Sequence, residues 1–365
     1  MIFSALLAST LVAGAQSPTT LKDAYRGSFY VGAAINAAQS TGADARGAAI
    51  VAAQFNTISP ENELKWERIH PKPDTYSFDL ADKYVEFGEK NHMFIVGHNL
   101  VWHAQVPDWV FQDDKGNPLT RDALLKRMHD HIFTVVGRYK GRIQSWDVVN
   151  EALNEDGTLR QSKWLKIIGE DYIAKAFQYA HEADPQAQLN YNDYNIENEA
   201  KRNGAIALVK KLQAQGIPIA VVGIQGHDGL DWPSAELEDA TITEFAKLGV
   251  KVAITELDVD VLPSAWSTTA DVTLSVKSDP KINPYPNGLP DEMQKALAKQ
   301  YAALFGVYLK HRDVVNRVTF WGVTDADSWK NNWPVVGRTN YPLLFDRAGK
   351  PKPAFDAVMK LAAQK

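Results

Sequence analysis

Two glutamates, Glu151 and Glu256, each end a short apolar segment that is typical of a buried strand. A buried parallel strand is normally apolar throughout, so a carboxylate at its carboxyl end calls for an explanation. Cleavage of a glycosidic bond requires two carboxyl groups, one of which protonates the leaving oxygen. Taken singly, each glutamate also fits a buried ion pair. The two together favour glycosidic bond hydrolysis.

The residue before the first glutamate suggests how the two carboxyl groups divide the work. The side chain of Asn150 can donate a hydrogen bond to a sugar 2-hydroxyl, an interaction that strengthens in the transition state. Glu151 is therefore expected to be the acid and base, with its pKa raised by the negative charge of Glu256. Glu256 then stays ionised and acts as the nucleophile. A retaining enzyme needs the two carboxyl groups roughly 5–5.5 Å apart.

The elements that must hold these residues alternate between strand and helix along the chain. Strands are predicted at 29–35, 57–59, 93–102, 143–149, 189–194, 220–225, 252–257 and 318–323. Helices are predicted at 43–55, 80–91, 121–139, 163–183, 197–215, 234–247, 291–310 and 353–363. Such alternation predicts an α/β fold with parallel strands covered by helices. Eight units predict a single closed (β/α)8 TIM barrel, with the active-site cleft at the carboxyl ends of the strands.

Composition narrows the function classes. The 365 residues are 45% hydrophobic and carry a net charge of −5 without a basic run, which argues against nucleic acid or an anionic membrane as partner. There is no cysteine, hence no disulfide and no thiolate metal site. Ten tryptophans and thirteen tyrosines fit a carbohydrate-binding protein, although core packing is the alternative for many of them.

The amino terminus is apolar from residue 2 to residue 15 and ends in Ala13-Gly14-Ala15, an A-x-A cleavage pattern. The stretch is too short for a membrane span, which needs about 20 residues. No Lys or Arg precedes it, so a buried helix is the alternative. We expect residues 1–15 to be a signal peptide, residues 16–365 to be the catalytic domain, and the protein to be secreted, either extracellular or periplasmic.

Four motifs resemble the family 10 glycoside hydrolases, which are endo-β-1,4-xylanases that retain configuration. They are residues 98–103 (HNLVWH), residues 146–152 (WDVVNEA), residues 255–258 (TELD), and residues 321–325 (WGVTD) followed by Ser328-Trp329. The resemblance covers nearly the whole chain after residue 15. It implies that Glu151 is the acid/base, that Glu256 is the nucleophile, and that the substrates are xylan and xylo-oligosaccharides. It implies neither a cofactor nor a metal, and we expect a monomer.

The same resemblance assigns further positions. His227 would hydrogen-bond the nucleophile and be held in turn by Asp258, while Asn150 supports the reaction beside Glu151. The residues expected to bind sugar are Glu61, Asn62, Lys65, His98, Trp102, Asn192, Tyr194, Gln225, Trp321 and Trp329.

Several positions have alternatives. Glu61 and Lys65 also fit a surface helix pair, a spacing that contributes about 0.2–0.5 kcal/mol. Tyr194 also fits the core. His103 fits either support of the site or direct contact with substrate. The stretch 263–290, with Trp266, would narrow the reducing-side cleft or reach substrate branches.

Three other functions compete with xylan hydrolysis. A β-1,4-glucanase on the same barrel would need room for the hydroxymethyl group that xylose lacks. A barrel that only binds polysaccharide or another protein would be expected to lack one carboxylate, yet both are present. A metal-dependent sugar isomerase using His98, His103 and His227 with Glu256 would leave Asn150-Glu151 without a role. No Gly-rich phosphate loop precedes a helix, so no nucleotide is expected.

Overall fold

The computed structural model describes residues 19–263 and 279–364, within which eight parallel strands close into a barrel. The strands are β1 (Tyr30–Ile35), β2 (Thr57–Pro60), β3 (Phe94–Val101), β4 (Ser145–Asn150), β5 (Gln188–Asp193), β6 (Val221–Ile224), β7 (His227–Gly229), β8 (Lys251–Asp260) and β9 (Val315–Phe320). The barrel closes because β1 pairs with β9 and β6 pairs with β8. Of the strands in these two ranges, only β7 lies outside the ring, as a short strand paired to the end of β8. The predicted TIM barrel is confirmed.

Helices follow the strands and cover the barrel. They are α1 (Leu21–Ala24), α2 (Ala37–Thr41), α3 (Ala45–Gln54), α4 (Trp66–Ile69), α5 (Asp79–Lys90), α6 (Arg121–Arg138), α7 (Lys163–Ile168), α8 (Tyr172–Ala183), α9 (Glu199–Ala214), α10 (Ala235–Ala246), α11 (Asp291–Lys310) and α12 (Pro353–Ala362). Short 3₁₀ turns span Asp108–Val110, Pro280–Ile282 and Trp329–Asn331. Side chains of Thr120, Ser162 and Ser234 cap α6, α7 and α10 by accepting a backbone N–H of the first turn.

The single helix predicted over residues 163–183 is wrong. The structure ends α7 at Ile168, because Gly169 adopts φ +97°, a left-handed backbone that glycine tolerates and a helix does not. Helix α8 then starts afresh at Tyr172. The apolar spacing continues through both helices, which is why the pattern alone did not reveal the break.

Two features of the barrel position the site residues. Between β3 and β4, Gly97 allows close approach, since a Cβ there would lie 2.1 Å from the ring of Trp146. Between β4 and β5, the register shifts after Asp147, so that Asn150 lies opposite Asn192 at the carboxyl ends of both strands. The polar side chains of Asn150 and Asn192 thereby meet at the carboxyl ends of these two strands.

Some expectations fall outside the described residues, namely the signal peptide and the role of Trp266. The described end of the stretch 263–290 lies against the segment that follows β9: the hydroxyl of Tyr341 donates to the carbonyl of Tyr285 at 2.6 Å. Within residues 19–263 and 279–364, no helix combines the length and the apolar character needed to span a bilayer.

Candidate active site

A cleft of about 370 Å³ opens at the carboxyl ends of the strands and gathers most of the predicted site residues. Its lining consists of Glu61, Asn62, Lys65, His98, Trp102, Gln105, Asn150, Glu151, Gln225, His227, Glu256, Trp321, Trp329 and Trp333. Sequence reasoning missed Gln105 and Trp333, which lie in loops and belong to none of the four motifs. Asn192, Tyr194 and Asp258 do not line the cleft.

Glu151 lies in the cleft with its carboxylate almost fully desolvated. One oxygen accepts a hydrogen bond from the indole N–H of Trp102 at 2.8 Å, and the other accepts from Asn150 at 3.1 Å and Gln225 at 3.0 Å. Burial raises the pKa of Glu151 above its usual value, and the charge of Glu256 adds to this, against the hydrogen bonds from Gln225 and Trp102. The main cause is thus burial and not, as the sequence suggested, the neighbouring charge. A carboxyl group that keeps its proton to higher pH suits a general acid.

Glu256 has different neighbours. Its Oε1 accepts a hydrogen bond from the amide of Asn192 at 2.8 Å, and its Oε2 lies 3.2 Å from Nε2 of His227. Its backbone N–H donates to the carbonyl of Gln225 at 2.8 Å, which fixes the strand end that carries it. Both carboxylate oxygens are therefore oriented by protein groups while the side chain faces the cleft.

His227 joins the carboxylate of Glu256 to a second, deeper carboxylate. Its Nδ1 lies 3.2 Å from Asp258, whose other oxygen accepts the indole N–H of Trp329 at 2.7 Å. Burial disfavours the charged ring, but the charges and hydrogen bonds of Asp258 and Glu256 outweigh it and raise the pKa of His227 to about 9. His227 is therefore protonated at neutral pH, and both ring nitrogens donate. The arrangement matches the predicted positions of His227 and Asp258.

Two amide side chains connect the two glutamates. Asn192 donates to Oδ1 of Asn150 and to Oε1 of Glu256, each at 2.8 Å, and Asn150 donates to Glu151. Asn192 itself is fully buried and also accepts the hydroxyl of Thr255 at 2.6 Å. The structure therefore places Asn192 behind the carboxylates, outside the lining of the cleft. Its predicted sugar contact stays a prediction, and its placement favours a positioning role.

Lys65, Asn62 and Glu61 form one side of the cleft. The ammonium of Lys65 donates to Asn62 at 3.1 Å and to Gln105 at 2.9 Å, and it lies 5.2 Å from the ring centre of Trp102. Lys65 is only 7% exposed and precedes α4, so the alternative of a surface helix pair is wrong. Burial lowers the pKa of Lys65 and raises that of Glu61, while nearby opposite charges counter both shifts. Such partly desolvated groups are suited to hydrogen-bonding hydroxyls.

Aromatic and histidine side chains form the remaining walls. His98 is oriented by Asp147, whose carboxylate lies 3.0 Å from Nδ1, and its ring meets Trp321 edge-on at 5.3 Å. Trp329 and Trp333 stack with their ring centres 4.5 Å apart. Flat indole faces beside polar groups fit the apolar and polar faces of a sugar ring.

Two predicted neighbours lie behind the cleft lining. Tyr194 is 3% exposed, and its hydroxyl accepts a hydrogen bond from Arg160 at 2.7 Å, so the core alternative describes its placement. Its predicted sugar contact stays a prediction. His103 lies with its Nδ1 3.8 Å from Oε2 of Glu151, a distance that favours support of the acid.

The histidines do not converge as metal ligands would. Among residues 19–263 and 279–364, no group of three or more His, Asp or Glu side chains is arranged to hold a metal ion. His98 and His227 instead each bind a buried carboxylate, Asp147 and Asp258.

Comparison with known proteins agrees with this geometry. A sequence profile described as glycosyl hydrolase family 10 matches residues 20–361. Endo-1,4-beta-xylanase A of Xylanibacter ruminicola is 45% identical over 357 residues, covering 98% of this chain and 97% of the relative. Beta-1,4-xylanase of Dictyoglomus thermophilum is 42% identical over 343 residues, covering 93% and 90% of the two chains.

Solved structures share the barrel. A family 10 endoxylanase retrieved from a sugarcane soil metagenome superposes with a TM-score of 0.91 at 50% identity, covering 93% of this chain and 99% of the other. A mutant structure in complex with xylotriose superposes with a TM-score of 0.84 at 37% identity, covering 94% and 99%. The resemblance seen in the four motifs is thereby confirmed, and the chain belongs to glycosyl hydrolase family 10.

Proposed function

We propose that this protein is an endo-1,4-β-xylanase that hydrolyses internal bonds of xylan with retention of configuration. The observation that carries the proposal is the pair of carboxylates, Glu151 and Glu256, which line one cleft and are joined through Asn150 and Asn192. The names of the two relatives, both xylanases at 42–45% identity, support the substrate.

In the first step, the carboxylate of Glu256 attacks the anomeric carbon while Glu151 gives its proton to the glycosidic oxygen. The bond between the anomeric carbon and that oxygen breaks, and the shortened xylan leaves with a new hydroxyl. A xylosyl ester on Glu256 remains. Burial of Glu151 supports its acid role, because it keeps the proton on the carboxyl group at higher pH.

In the second step, Glu151 acts as the base. It takes a proton from a water molecule whose oxygen attacks the anomeric carbon, and the ester to Glu256 breaks. Two inversions at the same carbon give net retention. Glu151 has regained its proton and Glu256 its charge, so the site is ready for the next chain.

The neighbours supply orientation and charge. The protonated ring of His227 faces the negative charge that Glu256 loses on forming the ester and regains on hydrolysis. The amide of Asn150, already beside Glu151, is available to a sugar 2-hydroxyl. The indoles of Trp321 and Trp329 provide the apolar walls against which xylose rings pack.

The test compares reducing-end release from β-1,4-xylan and from soluble β-glucan, with wild type beside Glu256→Ala. We expect xylan to be cut about a hundredfold better, and the variant to lose nearly all activity because removing a nucleophile costs several orders of magnitude. Glu199→Ala, an exposed glutamate on α9, is the matched control and keeps full activity. The anomeric proton of the first product, observed by NMR, reports retention.

Each result bears on a different part of the proposal. Equal cutting of β-glucan would make the enzyme a glucanase on the same barrel. Binding of xylan without any cleavage would leave only a polysaccharide-binding barrel. An initial α-anomer would contradict the two-step mechanism and the nucleophile together.

We also propose that residues 1–15 are removed on export, that residues 16–365 are the catalytic domain, and that the enzyme is a secreted monomer. Expression of the full sequence with analysis of the exported protein tests this. We expect an amino terminus at Gln16 and, by light scattering, a mass just below the 40.5 kDa of the whole chain. An intact Met1 would contradict removal of residues 1–15, and a doubled mass would contradict the monomer.

A further inference from the structure

The backbone of the acid/base residue adopts an unusual conformation. Glu151 has φ +57°, in the left-handed region that costs a residue with a side chain about 1–2 kcal/mol. Such a conformation persists only where its surroundings fix it. On one side, the N–H of Glu151 donates to the carbonyl of Asn192 at 2.8 Å. On the other side, the carbonyl of Glu151 accepts Nε of Arg160 at 3.1 Å.

A hairpin brings Arg160 back to this carbonyl. Leu153 and Leu159 pair as an antiparallel bridge, and the N–H of Arg160 donates to the carbonyl of Ala152 at 2.7 Å. The far end of the guanidinium donates to the hydroxyl of Tyr194 at 2.7 Å. Arg160 therefore spans from the turn that carries the acid to the end of β5.

Tyr194 is a rigid anchor for the guanidinium. The ammonium of Lys201 lies 3.5 Å from the centre of the Tyr194 ring, and the same ammonium pairs with Asp193 at 3.0 Å, both side chains being fully buried. The hairpin is also seated tightly, since a Cβ on Gly204 of α9 would lie 2.4 Å from the carbonyl of Gly157. Neither end of the Arg160 contact can shift without moving packed groups.

We propose that Arg160 is a positioning residue for the acid/base, which fixes the turn at Glu151 through its main-chain carbonyl and places a positive charge behind the carboxyl group. The inference rests on the proposed function and deepens it. Arg160 also lines the small recess behind Glu151, together with Trp102 and His103.

The charge of Arg160 has a second, separable consequence. It is among the influences that lower the pKa of Glu151 against the larger effect of burial. Without it, the pKa of Glu151 rises, because a positive charge favours the ionised carboxylate. The limb of the pH–rate profile that reports loss of the acid's proton then moves to higher pH.

Leaving groups distinguish acid catalysis from general damage. Dinitrophenol leaves a sugar without a proton, whereas phenol needs one. We would measure kcat/KM for dinitrophenyl and phenyl β-xylobiosides with wild type, Arg160→Gln and Arg160→Lys. For Arg160→Gln we expect about a tenfold or greater loss with the phenyl substrate and less than about threefold with the dinitrophenyl substrate, since general acid catalysis contributes 10²–10⁴-fold.

The lysine variant separates the two roles. Arg160→Lys keeps the charge but loses the fork that reaches both the Glu151 carbonyl and Tyr194. We expect its basic limb to stay near that of wild type while its loss with the phenyl substrate remains. Arg142→Gln is the matched control, because Arg142 precedes β4 and binds Glu89 near the surface. We expect it to change neither the basic limb of the pH–rate profile nor kcat/KM with either xylobioside.

Two outcomes with Arg160→Gln would overturn the inference. Equal losses with the two substrates would make Arg160 structural only, and unchanged kinetics would remove its role altogether.

If Arg160→Gln does not fold, Tyr194→Phe decides, because it deletes only the hydroxyl that accepts a hydrogen bond from the guanidinium. A loss of about two- to fivefold confined to the phenyl substrate supports the inference, and no such loss contradicts it. Failure of wild type to cleave either xylobioside would instead reject the proposed function.

Discussion

Glu151 and Glu256 are the same kind of residue made different by their neighbours. Glu151 accepts hydrogen bonds from three neutral donors, Trp102, Asn150 and Gln225, in a buried position that raises its pKa. Glu256 instead faces the protonated ring of His227. These different environments fit the proposed roles of Glu151 as acid and Glu256 as nucleophile.

At the residue scale, Asp258→Asn tests how His227 keeps its charge. Removing the negative partner at 3.2 Å disfavours the protonated ring, so the pKa of His227 falls from about 9 by roughly 1–2 units. At pH 8 at least half of the variant rings are then neutral, and kcat on xylan falls. NMR titration of the His227 ring measures the shift directly.

An exposed carboxylate gives the control for this measurement. Asp356→Asn, in the first turn of α12, removes the same charge far from His227 and leaves its titration unchanged. A His227 pKa that stays near 9 in Asp258→Asn would mean that Glu256 alone maintains the charge.

At the scale of elements, the strands were predictable and the loop contacts were not. Every predicted strand overlaps a barrel strand, because apolar runs that end in polar residues mark the carboxyl ends of parallel strands. Gln105 and Trp333 reach the cleft from loops, where no periodicity applies. Asn192 and Tyr194 lie at the end of β5 behind the cleft lining, and sequence does not tell whether a side chain at a strand end faces the cleft or a neighbouring strand.

Two helical glycines, Gly306 and Gly204, differ in the space around them and give a matched pair of alanine substitutions. Glycine inside a helix costs about 0.8–1 kcal/mol relative to alanine. Gly306 in α11 has nothing within 4 Å of the place that a methyl group would take, so Gly306→Ala raises the free energy of unfolding by about 0.5–1 kcal/mol. In α9, a Cβ on Gly204 would lie 2.4 Å from the carbonyl of Gly157, so Gly204→Ala lowers the free energy of unfolding.

Urea unfolding of both variants beside wild type measures these two changes. Because the Gly157 hairpin carries Arg160, we expect Gly204→Ala also to reduce activity on xylan, while Gly306→Ala does not. If Gly204→Ala instead stabilised the protein, the hairpin that contains Gly157 would be able to move away without a loss of free energy.

At the scale of the whole molecule, buried carboxyl groups link folding to pH. Glu197, Asp228 and Glu238 are each at most 3% exposed and lie around β7, α9 and α10. Burial raises the pKa of all three, that of Glu197 to about 7. The unfolded chain loses such protons near about pH 4, whereas the folded chain keeps them to higher pH. Stability therefore falls as the pH rises above about 4, and the contribution of Glu197 levels off near pH 7.

Glu197→Gln replaces one of these carboxyl groups by an amide that does not titrate, so residue 197 no longer contributes to the pH dependence of stability. We expect no change in stability at pH 4 and a gain that grows up to pH 7 and then levels off at about 2–4 kcal/mol. Thermal or urea unfolding at several pH values measures it, with the exposed Glu199→Gln as control. Destabilisation at every pH would mean that Glu197 is ionised and paired with Lys201.

The hydrogen-bonded link between Glu151 and Glu256 has one more consequence. Asn150 and Asn192 join Glu151 to Glu256 through hydrogen bonds, yet both are amides, which neither take up nor release a proton at physiological pH. The path therefore holds the carboxyl groups in place without conducting protons between them. In the proposed mechanism, the proton of Glu151 therefore does not pass along this path to Glu256, and it is transferred to the glycosidic oxygen instead.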